Sequence, residues 1–184
     1  MFVVLYLAAA YLYPGGNQAD SKARGFSWLH NYWCNLLNEQ AMNGQPNPGQ
    51  PVALAAMGVL GVSLALFWYN LPRLFNAHPR KSNTIRALGL LSTLFASLIF
   101  TPYHDLLINL ASVFGGIALL LTLLELLREQ FNRLFLWGIG CIVLIGANTF
   151  IYHSSMGLIA LPLLQKITFV CVLSWLSALV LANH

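Results

Sequence analysis

Apolar runs separated by short polar turns dominate the chain, at about residues 1–13, 52–71, 85–101, 106–127, 134–152 and 158–182. The last five approach the roughly 20 apolar residues with which a helix crosses a bilayer. The first is shorter, and at 1.5 Å per residue it spans only about 18 Å of a hydrocarbon core of about 30 Å. It is predicted as a tilted first crossing, or as one whose start lies further upstream. A secretory signal is the weaker reading, because no basic residue precedes the run and Tyr13-Pro14-Gly15-Gly16 makes a turn rather than a small-residue cleavage site. Pro72 closes the second run, Pro102 closes the third, and Ser154-Ser155-Met156-Gly157 parts the fifth from the sixth. Glycines within the runs, among them Gly58, Gly61, Gly115, Gly116, Gly138 and Gly140, suit helices that pack closely without water between them.

Residues 14–51 are the one long polar stretch, rich in Asn, Gln, Gly and Pro. Within it Phe26, Leu29, Trp33, Leu36 and Leu37 recur at three- and four-residue steps, while His30, Asn31, Asn35 and Glu39 turn elsewhere. That spacing predicts a short amphipathic helix over 26–42, lying in the interface or dipping in as a re-entrant loop. The expected architecture is all-α: a single transmembrane domain over 1–184, with about six membrane-crossing helices and one long outer loop carrying the interfacial helix.

Composition sharpens this. Of the 184 residues 58% are hydrophobic and 8% charged, against about 25% charged in soluble domains. An ordinary soluble enzyme, a disordered tail and a fibrous repeat are thereby excluded. The net charge of +4 would suggest nucleic acid in a soluble chain. Here Arg73, Arg80, Lys81, Arg86, Arg128 and Arg133 fall on one side if all six runs cross, against Lys22 and Arg24 on the other. Basic loops stay cytoplasmic, so both termini are predicted to be cytoplasmic and the long loop to lie outside. Topology then accounts for the basic excess, and no nucleic-acid partner is needed. Cys34, Cys141 and Cys171 form no CxxC pair, so neither a zinc ribbon nor a disulfide framework follows from them.

Candidate chemistry gathers at the predicted outer face. The long loop supplies His30, Asn31 and Asn35; the turn 101–105 supplies Tyr103, His104 and Asp105; the turn 152–155 supplies His153. Helical spacing adds Asn109, one turn beyond Asp105, and Asn148, one turn before Tyr152. Lys166 lies about eight residues into the last run, where an unpaired charge costs at least a few kcal/mol. It is expected to face Asp105, the outer-side acid nearest a span. These ten residues are the candidate ligand pocket.

Three readings of that group stay open. The side chains tie wet turns together by hydrogen bonds, or they form a pocket for a ligand or lipid headgroup, or they hold a metal. In the last case His30, His104, His153 and Asp105 would bind Zn²⁺ and leave one position for water, as catalytic zinc requires. No HxxxH or HExxH spacing places two such ligands on one helical face. Heme b between His104 and His153 is disfavoured, because both lie in turns or at helix ends. Glu125 and Glu129 with Arg128 and Arg133 read as a solvated helix end. There is no GxSxG, no phosphate-binding P-loop and no GxGxxG after a strand. Pro162 in the sixth run has no counterpart in the third, against the paired broken helices of many transporters.

Tyr13-Pro14-Gly15-Gly16, Asn31-Tyr32-Trp33-Cys34-Asn35-Leu36-Leu37, Asn43-Gly44 with Asn47-Pro48, and Phe100-Thr101-Pro102-Tyr103-His104-Asp105 with Asn109 resemble a family of bacterial integral-membrane proteins defined by a domain of unknown function. That family is distantly similar to the Frag1/DRAM/Sfk1 six-span group. The resemblance runs over most of the chain and implies a six-helix bundle in the bacterial inner membrane, with no catalytic residue to carry over. The more distant relatives are linked to lipid remodelling and membrane organisation. Three activities are therefore expected to compete: binding of a membrane lipid or partner protein at an outward-facing polar pocket, metal-dependent hydrolysis of a lipid or headgroup, and service as an accessory subunit among other membrane subunits.

Overall fold

The computed structural model describes residues 1–75, 78–98 and 102–182, without the side chain of His104. Thr101, at the end of the third predicted run, lies outside the described residues, as does His184. Six α-helices account for most of the rest: α1 (Phe2–Leu12), α2 (Gln50–Asn70), α3 (Pro79–Ser97), α4 (His104–Arg128), α5 (Asn132–Ser154) and α6 (Leu161–Leu181). Short 3-10 turns stand at Trp33–Leu37, Leu71–Leu74 and Leu158–Ala160. Among the described residues there is no strand, only two isolated bridges, Gly15 with Arg24 and Gln40 with Pro46.

Among the described residues four segments are long and apolar enough to cross a membrane: Gln50–Leu74, Asp105–Arg128, Asn132–Ser154 and Leu158–Leu181, with mean hydropathies of 2.0, 2.2, 2.1 and 1.8. No more than 28% of any of their apolar windows is buried within the protein. Apolar surface on that scale needs lipid or another protein against it. α1 is apolar but has only 11 residues, about 16 Å of helix.

α3 departs from the expected 85–101 by starting earlier. Pro79 fits the first helical turn, where no N–H is needed, and His78 Nδ1 accepts the Arg80 amide at 3.2 Å. The polar run Arg80-Lys81-Ser82-Asn83-Thr84 is therefore helical, which a search for apolar residues does not register. Pro162, expected inside a span, is the second residue of α6 and so is tolerated for the same reason as Pro79. Ser155 and Gly157, with φ of 56° and 75°, reverse the chain between α5 and the turn that leads into α6.

The larger departure is in the long loop. In place of an amphipathic helix over 26–42 there is the five-residue turn Trp33–Leu37. Side chains of Asn and Ser offer the backbone hydrogen bonds that compete with a helix, and this loop is built on them.

Residue contacts divide the chain into two compact units, Met1–Val59 with Cys141–Cys171, and Leu60–Gly140 with Val172–His184. In the second, α3 packs on α4 in antiparallel order. Lys81 Nζ meets Glu125 Oε1 at 2.5 Å, the Ser92 hydroxyl donates to the Ala111 carbonyl at 2.8 Å, and Phe95 stacks on Phe114 at 5.5 Å. Glu125 is only 1% exposed and also receives Arg128 at 3.3 Å. It is thus a buried carboxylate between two cations, not the solvated acid its spacing suggested. Gly89 lies against the Trp68 ring so closely that a Cβ would occupy ring atoms. The buried Trp175 indole donates to the Leu134 carbonyl at 2.8 Å.

Candidate functional site

In the first unit, residues 14–49 fold into a cap secured by asparagines. The tongue at 14–25 is closed by Gly16 N–H to the Ala23 carbonyl at 2.8 Å and Gly25 N–H to the Pro14 carbonyl at 3.2 Å. Asn17 Oδ1 accepts the amides of Ala19 and Asp20 at its tip. Gly16 has φ +81°, and a Cβ there would strike the Asn43 amide, so the tongue needs glycine at this position. At the other end Asn47 Nδ2 donates to the carbonyls of Leu36 at 3.0 Å and Asn38 at 2.9 Å, while its Oδ1 accepts Gly49 N–H at 3.0 Å. One side chain thereby fixes the turn Trp33–Leu37 to the start of α2.

Asn31 is the centre of the cap. It is fully buried. Its Nδ2 donates to the Gly16 carbonyl at 2.8 Å, its Oδ1 accepts Ser27 N–H at 2.7 Å, and its backbone carbonyl accepts Lys166 Nζ at 2.6 Å. Lys166, 8% exposed, also donates to the Pro162 carbonyl at 3.0 Å. Its ammonium lies 5.6 Å from the Phe26 ring centre and 5.8 Å from that of Trp33. Two carbonyl dipoles and two ring faces thus solvate the cation, and none of them carries a negative charge. Two of its three N–H donors are used.

Aromatic packing holds the rings in place. Trp33 meets Tyr6 at 4.8 Å, Phe169 at 5.7 Å and Trp28 at 5.9 Å, and Trp28 meets Phe26 at 5.2 Å. The Tyr6 hydroxyl donates to the Trp33 carbonyl at 3.0 Å, which ties α1 to the cap. The Trp33 indole N–H is buried and has no hydrogen-bond partner among the described residues. Buried donors are normally paired, so this one asks for an acceptor. The Asn148 side chain donates to Thr168 Oγ1 at 2.7 Å and to the Leu144 carbonyl at 2.8 Å, while its Oδ1 is buried with no partner among the described residues.

Of the residues expected to share a pocket, Asn31 and Lys166 are in contact. Asn35 is buried and accepts a long 3.4 Å bond from Gln18. His30 is half-buried, with Nδ1 3.2 Å from the Ser27 hydroxyl. His153 is exposed beside the Tyr152 ring at 5.4 Å. Tyr103, Asp105 and Asn109 belong to the second unit and are exposed there, with Asp105 in the first turn of α4, where an acid suits the helix dipole. Lys166 is held by the backbone oxygens of Asn31 and Pro162, acceptors that no side-chain inventory reveals. Among the described residues no three His, Cys, Asp or Glu side chains gather as a metal site; His104, one of the four proposed ligands, has its side chain outside them. Phe26, Trp33 and Asn47 were not among the sequence candidates. The only sequence signal for them is the density of aromatic and Asn residues in one loop.

No protein-family model matches the chain, and no curated protein or solved structure matches it.

Proposed function

We propose that this is a six-span membrane protein whose outer loop caps a cationic, aromatic-lined centre that binds the anionic headgroup of a membrane lipid. In this reading α1 and α3 cross along with the four longer segments, and both termini lie on the side that carries Arg73, Arg80, Lys81, Arg86, Arg128 and Arg133. The bacterial inner membrane is the setting that the resemblance implies.

The observation that carries the reading is a pair of unspent donors in one place. Lys166, 5.8 Å from the Trp33 ring centre, has one N–H beyond the two that meet carbonyls, and the buried Trp33 indole N–H has no partner among the described residues. Both call for acceptor oxygens, and the ammonium favours those that are charged. A phosphate offers several such oxygens at a membrane surface, and the Trp28–Trp33 aromatic cluster suits the headgroup level.

Native mass spectrometry of the protein from mild detergent counts the phospholipids held by each chain. Lys166→Met is expected to weaken binding of dioleoyl-phosphatidylglycerol at this site by about tenfold or more, the worth of a charge-assisted bond. Trp33→Phe keeps an aromatic face but removes the N–H together with the second ring of the indole, and is expected to weaken binding several-fold. Retention unchanged in both variants contradicts the reading.

A further inference from the structure

The second unit contains an open cleft of about 430 Å³ that the cap does not involve. Phe67 from the end of α2, Leu71 and Leu74 from the turn after it and Leu179 from α6 give it apolar walls. Phe67, Leu71 and Leu179 are each less than a tenth exposed, so the walls are packed against the protein rather than loose on its surface. The volume falls within the ~300–1,000 Å³ typical of small-molecule sites. Its polar lining includes Asn70 and Arg73, close together along the chain.

Two of the basic residues nearby are already engaged. Lys81 is engaged by Glu125. Arg86 donates to the Tyr69 carbonyl at 2.9 Å and to Asn83 Oδ1 at 3.1 Å, and lies over the Tyr69 ring. Arg73 lines the cleft, is exposed, and has no hydrogen bond or ion pair among the described residues. Asn70 Nδ2 donates to the Leu66 carbonyl, which leaves its Oδ1 as an acceptor. The site therefore offers an apolar trough, a planar fork of cationic donors and one neutral acceptor. A guanidinium fork matches phosphate oxygens in pairs, and an Asn oxygen matches a hydroxyl donor.

We propose that this cleft binds one anionic glycerophospholipid, with an acyl chain along Phe67, Leu71 and Leu179, the phosphate on Arg73 and a headgroup hydroxyl at Asn70. It is a second lipid site, on the end of α2 that carries the basic residues. It rests on the membrane-spanning part of the function proposed above and is independent of Lys166.

Native mass spectrometry with added dioleoyl-phosphatidylglycerol or dioleoyl-phosphatidylcholine separates the two sites. The wild type is expected to take two molecules of phosphatidylglycerol and to prefer it to phosphatidylcholine at each. Arg73→Gln should weaken one of the two by about fivefold, the worth of one basic residue near an anionic lipid. Leu179→Trp, which fills the trough, should remove that molecule whatever its headgroup. Arg80→Gln, outside the cleft, should change neither. Lys166→Met should leave the Arg73-dependent molecule in place. If Arg73→Gln and Leu179→Trp both bind as wild type does, the cleft is not the site and the proposal is overturned. A preference lost only in Lys166→Met also overturns it while sparing the cap, and no binding of either lipid overturns both.

Discussion

Asn31 gives its carbonyl oxygen to Lys166 Nζ at 2.6 Å across 135 positions of sequence. The same residue holds the tongue through Gly16 and the following turn through Ser27. Asn31→Ala leaves the carbonyl and removes both side-chain bonds, each worth about 1 kcal/mol net. Amide exchange at Gly16 and Ser27 is expected to accelerate about 30-fold, as a local loss of about 2 kcal/mol implies. Unchanged protection would show that the cap does not depend on this residue.

Asn47→Ala strips three hydrogen bonds from a residue only 5% exposed and leaves two carbonyls and one amide to find other partners. A loss of about 2–3 kcal/mol in the stability of the cap follows. Exchange of the amides at 35–49 measures it directly, and Asn47→Asp should recover only the bond from Gly49, since a carboxylate cannot donate.

Gly89→Ala drives a methyl group into the Trp68 ring. Overpacking of this kind costs about 1–3 kcal/mol, read as a lower midpoint of thermal unfolding in detergent. The double variant Gly89→Ala with Trp68→Leu should recover much of that loss. Additive effects in the double variant would mean that the two residues do not meet.

Cys141 and Cys171 have sulfurs 3.6 Å apart, and Cys34 is the exposed cysteine. Mild oxidation by copper phenanthroline and oxygen should join Cys141 to Cys171 within one chain, while Cys34 keeps its reactivity to maleimide. Although Cys34 has open surface, the protein packed around its sulfur pushes the thiol above its usual value. Because the thiolate is the nucleophile, labelling is expected to be slow at neutral pH. It should rise about tenfold per pH unit and continue to climb past the point where a free thiol levels off. A maleimide that cannot cross membranes should reach Cys34 only from the side opposite the basic loops; labelling from the basic side would reverse the proposed topology.

The helices were legible because hydropathy and proline positions mark them, and the ends of α4 and α5 fall within two residues of the apolar runs. The start of α3 was not, since a polar helical turn has the composition of a loop. The cap was illegible for a different reason. Phe26, Trp33 and Leu37 have helical spacing, but Asn31 and Asn47 spend their side chains on distant carbonyls, and such long-range bonds leave no periodic trace. Lys166 was identified as a buried charge from its depth alone. The Asn31 carbonyl that accepts from it was not legible, because a backbone oxygen leaves no mark in the list of side chains.

The Trp33 indole proton reports most directly on the central claim. With ¹⁵N-labelled tryptophan in neutral detergent, Trp33→Phe assigns its resonance by deletion. Adding dioleoyl-phosphatidylglycerol is expected to move that resonance downfield as the indole gains an anionic acceptor, and Lys166→Met should abolish the shift. A Trp33 resonance that stays in place while lipid binds elsewhere on the protein would contradict the account of the capped centre.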